Sequence, residues 1–448
     1  MNVLKLSLAL GVVAVAACAR PQAETKPDPR VGLKAGLFDA AEAFGSMKKV
    51  ATVPPPERHR GATNSDLAFV GNYAIQGNYN GLVIWDISNP ASPTLKASYY
   101  CPASQNDVSV FKNLLFMSSE GGSSRLDCGG QGVRDTVSAD RMRGVRIFDI
   151  TDMGNPKLVG SVQTCRGSHT HTVLEHPGDR DNVYVYVSGS AGIRSPNELP
   201  GCVREATDPQ TALFRIEVIK VPLANPGAAA IVGSPRIFEG LGPRPSRTSE
   251  APEDRAARLR QIAEAKARGG FVYVIPSGPR KGEEAALGGF QLRPFVDSAL
   301  KARGAAPGGN PTATDSAWIR ANIQRMMDAA AANQRPNPMA GRLTQCHDIT
   351  VYPSLGLAGG ACEGMGILLD IKDPTNPIRL DAVADTNFSY WHSATFNHDG
   401  TSMLFSDEWG GGGAPKCRAT DPKEWGANAI FKVGPDKKMR FQSYYKMP

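Results

Sequence analysis

The residues best suited to chemistry are histidines and glutamates that recur at corresponding places in the chain. The starts of five short apolar runs superpose as Ser65-Asp66, Asn106-Asp107, His169-Thr170, His347-Asp348 and His392-Ser393, so three of the seven histidines share one position. A second set follows the next apolar run of each copy, at Glu120-Gly121, Ser190-Ala191, Glu363-Gly364 and Glu408-Trp409. Imidazole and carboxylate converging at ~2.0–2.2 Å suit a borderline divalent ion such as Zn, Mn, Fe or Cu. A ring of Glu120, Glu363 and Glu408 would repel itself, and a cation would relieve that repulsion. The competing reading is a structural ring, in which duplicated polar residues bind water and strand ends. His171 is close enough to His169 to join as a ligand or as its support. His59, His176 and His398 fall on loops or turns, where exposure is expected.

A repeat positions these groups. Gly81 to Pro93, Gly144 to Pro156 and Gly366 to Pro377 each read as a β-branched and aromatic run, then Asp-Ile, then a proline-bounded turn. Another strand follows each turn, and weaker copies lie at Ile216 to Pro226 and Ile430 to Pro435. With a hairpin upstream of every copy, each unit has four strands. Lys48 to Val53 looks like a sixth fourth-strand, which would close a ring near Met439 to Tyr445. These runs resemble the LVIVD-repeat family, whose members form β-propellers. The resemblance spans residues 46–245 and 341–448, and it implies an all-β propeller of five to seven four-stranded blades. In a propeller the first strand lines the central channel, so the histidines should converge and the glutamates should share their mouth.

The hairpin register that sets Cys346 opposite Cys362 puts His347 opposite Ala361. A disulfide between Cys346 and Cys362 is expected, stiffening the strand that carries His347. Cys101 and Cys165 occupy equivalent places and would pair if their blades approach. Cys128, Cys202 and Cys417 lie in long loops, and the remaining connectivity stays open.

Residues 246–340 interrupt the repeat with a mainly helical insertion. Helices are expected over Pro252 to Arg268 and Asp315 to Asn333, the latter capped by Asp315. Trp318, Ile319, Ile323, Met326 and Met327 form an apolar face that reads as docking on the propeller rim, or as a lid or partner surface. The glycine run after Trp409 is either a loop, with Trp409 capping its blade, or a wall of the site.

Residues 1–17 read as a secretory signal, with Lys5 ahead of a twelve-residue apolar run too short to span a bilayer. Val15-Ala16-Ala17-Cys18 resembles a bacterial lipobox, which makes Cys18 the lipidation site; the alternative is cleavage after Ala19. Residues 18–45 follow as a tether. The expected location is the cell envelope, as an outer-membrane lipoprotein or else a periplasmic protein.

Composition narrows the rest. The 448 residues carry a net charge of +7, are 41% hydrophobic, and include 47 glycines and 34 prolines, which favours many turns over long helices. A pI near 8.9 with no basic run gives no support for nucleic-acid binding. Serine-hydrolase, zincin and phosphate-loop motifs are lacking. The resemblance implies a binding or scaffolding module, with a protein partner or small polar ligand at the propeller face and the membrane reached through the lipid. The alternative is a metal-dependent oxidoreductase using the channel histidines, similar in kind to methanethiol oxidase or nitrous oxide reductase but sharing no motif with either.

Overall fold

A computed structural model describes residues 32–34, 41–245, 250–306, 309–333, 341–409, 416, 418 and 420–446. The chain divides into Met1–Pro54 with Pro90–Ser92, and Pro55–Asn89 with Pro93–Pro448. The described residues of the first unit hold no helix or strand. Residues 48–53 therefore do not form the expected strand; the last sheet is completed from the chain's own C-terminal part by Met439–Tyr445.

The second unit is mostly β, with a propeller-type fold of five four-stranded antiparallel sheets, each built from four consecutive strands. Their first strands are Asn64–Val70, Val108–Phe111, His171–Leu174, Asp348–Tyr352 and Trp391–Phe396. The repeat motif forms the third strands, Gly81–Asp86, Gly144–Asp149, Glu217–Pro222, Met365–Asp370 and Asn428–Val433. All five pair with their fourth strands through a register shift, at Ile84/Trp85, Ile147/Phe148, Val218/Ile219, Leu368/Leu369 and Ile430/Phe431. In the first, second and fourth sheets the shift follows the fourth residue of the third strand, two before the closing aspartate, and such an irregularity adds local twist to the outer strand.

The motif residues explain themselves locally. Asp86, Asp149 and Asp370 each accept the backbone N–H two residues on, from Ser88, Thr151 and Lys372 at 2.8–2.9 Å. Aspartate thereby makes the turn that ends the strand. Gly81 and Gly144 begin their strands at φ +138° and +144°, where a Cβ would collide with the carbonyl oxygens of Tyr99 and Val162.

Strand alternation sends side chains to both faces of each sheet, so consecutive sheets share a core. Ile75, Leu82 and Ile84 pack with Leu115 and Met117; Phe116 and Ile147 pack with Val185 and Ile219. Tyr186 and Val218 meet Ile349 and Ile367, while Leu357 and Leu368 meet Trp391 and Phe405. Among the described residues no core cluster joins the fifth sheet to the first, and Phe69 on the first sheet's first strand is 64% exposed.

Three disulfides form: Cys101–Cys128, Cys165–Cys202 and Cys346–Cys362. Cys101 and Cys165 do not pair with each other. Each instead joins the segment leading into a sheet to the loop that leaves the same sheet's second strand. Those two segments meet at one end of the sheet, and Cys346–Cys362 repeats the arrangement. Such bonds suit an oxidising compartment, extracellular or periplasmic. Cys18, Cys417 and the residues 1–17 lie outside the described residues. No helix among the described residues is long and apolar enough to cross a membrane.

Between the third and fourth sheets the chain forms helices α1 (Pro252–Ala267), α2 (Arg293–Ala302) and α3 (Ala313–Ala332), with a hairpin of Phe271–Val274 and Glu284–Leu287. Thr312, not Asp315, is the N-cap of α3, and Asp315 closes the capping box by accepting the Thr312 N–H at 2.8 Å. Ile319 and Ile323 bury against Val296, Ala299 and Leu300 of α2, with Trp318 and Met327 beside them. The apolar face of α3 thus serves the insertion's own core rather than the propeller rim.

Candidate functional site

The strand starts do bring the three histidines together. His169 Nε2 lies 3.1 Å from His347 Nε2, and the His347 and His392 rings are 3.8 Å apart, centre to centre. The side chains come from three different sheets. Each is held by an identifiable partner: His169 Nδ1 sits 2.8 Å from Glu120 Oε2, and His347 Nδ1 lies 3.1 Å from the His392 carbonyl oxygen. His392 has its Nδ1 3.3 Å from Ser393 Oγ and its Nε2 3.6 Å from Glu408 Oε2.

These partners determine where the protons sit. Facing a carbonyl oxygen, His347 Nδ1 must donate, so Nε2 of the neutral ring is a lone pair aimed at His169. Burial, then the neighbouring His392 and His169, press the His347 pKa down to about 3. His392 is lowered by burial and by His169, against the pull of Glu408. At His169, burial acts downward but the Glu120 carboxylate outweighs it, and the pKa is raised. The Nε2–Nε2 gap is therefore bridged by a proton when His169 is charged. When His169 is neutral, two lone pairs face each other there.

The glutamates divide. Glu120 holds His169 and receives the Ser190 hydroxyl, and Glu408 stands by His392. Glu363 turns away from the rings: its oxygens receive the Gln345 amide, Arg244 Nη1 at 3.3 Å and the Tyr390 hydroxyl at 3.5 Å. The Tyr390 ring in turn stands edge-on to His347, with centres 6.0 Å apart. Tyr79 of the first sheet is raised by burial, then by Glu120 and Glu408, so sheets one, two and five all reach this mouth.

The alignment of the strand starts needs one correction. Ser65 Oγ donates to the Asn106 carbonyl, Thr170 Oγ1 to that of His347, and His347 Nδ1 to that of His392. One contact repeated around the sheets makes Thr170, not His169, the counterpart of His347 and His392; His169 reaches the group from one residue earlier. The hairpin register is also shifted by one, since Asp348 rather than His347 is opposite Ala361, although the His347 N–H still donates to Ala361 O at 2.8 Å. His392 lies in a register shift between Trp391 and Ala394.

The next residue of each strand makes a second layer, Asp66, Asp107, His171 and Asp348, that inspection of the histidines alone overlooks. Asp107 Oδ2 accepts the His171 backbone N–H at 2.9 Å and lies 3.0 Å from its Nδ1, which Ser118 Oγ also approaches at 2.8 Å. Asp107 is lowered despite its burial, chiefly by His171, while Asp348 is raised to about 6 by burial and then by Asp107. His171 is thus committed to Asp107 rather than to the three histidines. The signal was present, since aspartate follows three of the five aligned positions.

Of the remaining histidines, His59 is fully buried with Nδ1 3.3 Å from Ser98 Oγ, not exposed as its loop position suggests. His176 Nε2 caps the Lys372 carbonyl at 3.0 Å and His398 is exposed. Trp409 stacks on Trp425 at 4.6 Å, with Lys416 over its face.

Among the described residues no group of three or more His, Cys, Asp or Glu is arranged to hold a metal ion. The 3.1 Å between the His169 and His347 Nε2 atoms equals the span of two ligands at ~2.0–2.1 Å from one ion, roughly 100° apart.

The LVIVD repeat family matches residues 61–100, which span the first sheet. No curated protein sequence matches the chain. Among solved structures, a functionally unknown protein from Desulfotomaculum acetoxidans is similar at 9% identity and TM-score 0.39, covering 86% of this chain and 71% of that one. The β-propeller domain of Myceliophteria thermophila Cps50 (Swd1) gives 9% and 0.34, with coverage of 86% and 76%. Kuenenia stuttgartiensis hydrazine synthase gives 8% and 0.37, with coverage of 84% and 64%. The chain carries the LVIVD repeat, in a propeller-type fold of five four-stranded sheets.

Proposed function

We propose that the protein is an exported binding or scaffolding module of the cell envelope, anchored through a lipid on Cys18, whose strand-start mouth holds a divalent transition metal. The observation that carries the metal reading is the pair of imidazole nitrogens facing each other at 3.1 Å. Once His169 is neutral, a cation in that gap would relieve the repulsion of the two lone pairs. Glu120 orients His169 through its other nitrogen, as a carboxylate behind a ligating histidine does. His392 and Glu408 stand at hand to complete the coordination, and Zn, Cu, Mn and Fe all suit such donors. The repeat and the fold support a binding role, since propellers commonly serve as interaction modules.

Cobalt(II) titrated into the purified chain tests this reading. Saturable visible absorption that His347→Ala abolishes is the expected result, and its lack in the unaltered chain overturns the metal reading. Because metal competes with the proton on His169, binding should weaken as pH falls. The anchor is tested separately: Cys18→Ser should move the protein from the membrane fraction to the soluble one, and a variant that stays with membranes overturns it.

A further inference from the structure

A cavity of about 540 Å³ opens between the third and fourth sheets, and its charged lining is Arg166, Arg204, Arg244, Arg342 and Glu363. Four guanidiniums thus face one carboxylate. Glu363 is already engaged by Arg244. Arg166 is 8% exposed and spends its donors on neutral acceptors: Ala191 O at 3.0 Å, Thr344 O at 2.7 Å and the Gln345 amide oxygen. Burial lowers its pKa to about 10, opposed by the more distant Glu363, Glu217 and Glu120. Arg342 lies over the Phe214 ring at 5.0 Å, and Arg204 Nε reaches only the Arg194 carbonyl at 3.4 Å. Among the described residues no carboxylate forms an ion pair with Arg166, Arg204 or Arg342. A buried cation without a counter-charge, as Arg166 is, is costly, and exposed Arg204 and Arg342 add two more positive charges beside it.

We infer that this cavity binds a small molecule carrying two or more negative charges on carboxylate or phosphate oxygens. Guanidinium forks match both groups bidentately, and the volume suits a small metabolite-sized ligand. The cavity adjoins the histidines through Glu363, which accepts from Tyr390 beside His347. It also adjoins the root of the helical insertion, where Pro243 pairs with Arg342 and the Arg244 N–H donates to Gly341 O at 2.7 Å. The inference rests on reading this mouth as the ligand-binding face; it does not require a metal.

The test is calorimetric titration of the full chain with citrate and, separately, with inorganic phosphate. Ionic strength is held constant, and the neutral chelator phenanthroline is present so that no metal mediates binding. Saturable binding of at least one probe is expected, weakened tenfold or more by Arg204→Gln combined with Arg342→Gln, both exposed positions whose loss should leave circular dichroism unchanged. Arg58→Gln, in the turn of Glu57–His59 ahead of the first sheet and over the Tyr100 ring, should bind as the unaltered chain does. The probe that binds separates a carboxylate ligand from a phosphate one. Lack of saturable binding of either probe, or equal affinity in the double variant, overturns the inference. A chain that binds citrate but no cobalt keeps the anion site and loses the metal reading.

Discussion

The two histidine groups of the mouth differ by a single step along the strands, and that step separates structure from chemistry. His171 is wholly enclosed: Asp107 and Ser118 hold its Nδ1, its Nε2 has no hydrogen-bond partner, and it braces the second sheet against the third. His169, His347 and His392 are half-buried, and two of them are held neutral by burial and by one another. A neutral ring whose far nitrogen is already donating leaves a lone pair for a ligand. Similar residues at adjacent positions therefore serve different ends, and what decides is what faces the second ring nitrogen: no hydrogen-bond partner at His171 Nε2, a second imidazole at His347 Nε2.

The largest effect should come from the structural layer. Asp107→Ala strands the His171 ring and backbone donors in a dry interior and should cost about 3–5 kcal/mol in urea unfolding. An effect below 1 kcal/mol would erase the distinction drawn here. Opening Cys346–Cys362 by double serine substitution should cost about 3 kcal/mol, read from the same transitions, for a sequence separation of 16.

His347 gives a pH signature. Its folded pKa of about 3 lies below the ordinary 6.5, so its neutral state favours folding above pH 6.5, and that contribution is lost as pH falls toward 3. Between pH 7 and 4.5 the unaltered chain should lose about 2 kcal/mol more than His347→Gln. Asp348 has the opposite sign. Raised to about 6, it favours folding below its ordinary 3.8, and that contribution fades as pH rises through 6. Asp348→Asn should remove this opposing slope, so that stability rises more steeply with pH between 4 and 6, an effect of about 1–2 kcal/mol. His392→Ala, facing Glu408 at 3.6 Å with both side chains 32% exposed, should cost less than about 1 kcal/mol while weakening metal binding.

The repeat made the propeller legible, because Asp-Ile and its proline turn recur with one local job each, closing a strand at Asp86, Asp149 and Asp370. It also exposed the convergence of His169, His347 and His392, since duplicated strands place like positions together. Register was harder. A one-residue slip in the hairpin of Cys346 and Cys362 and the shift beside His392 left no mark in residue type. Sheet three arrives at the mouth one residue out of step, so Thr170 rather than His169 matches His347. The arginine cavity had no signal at all: Arg166, Arg204, Arg244 and Arg342 share no spacing, and only the packing of two sheets and the root of the insertion unites them.

Elemental analysis of the chain, purified without chelator and without a histidine tag, would read the metal itself. A near-stoichiometric transition metal that disappears in His347→Ala is the expected result. A metal-free protein that also takes up no added zinc, copper, manganese or iron would contradict it, and would leave the three histidines as a structural ring.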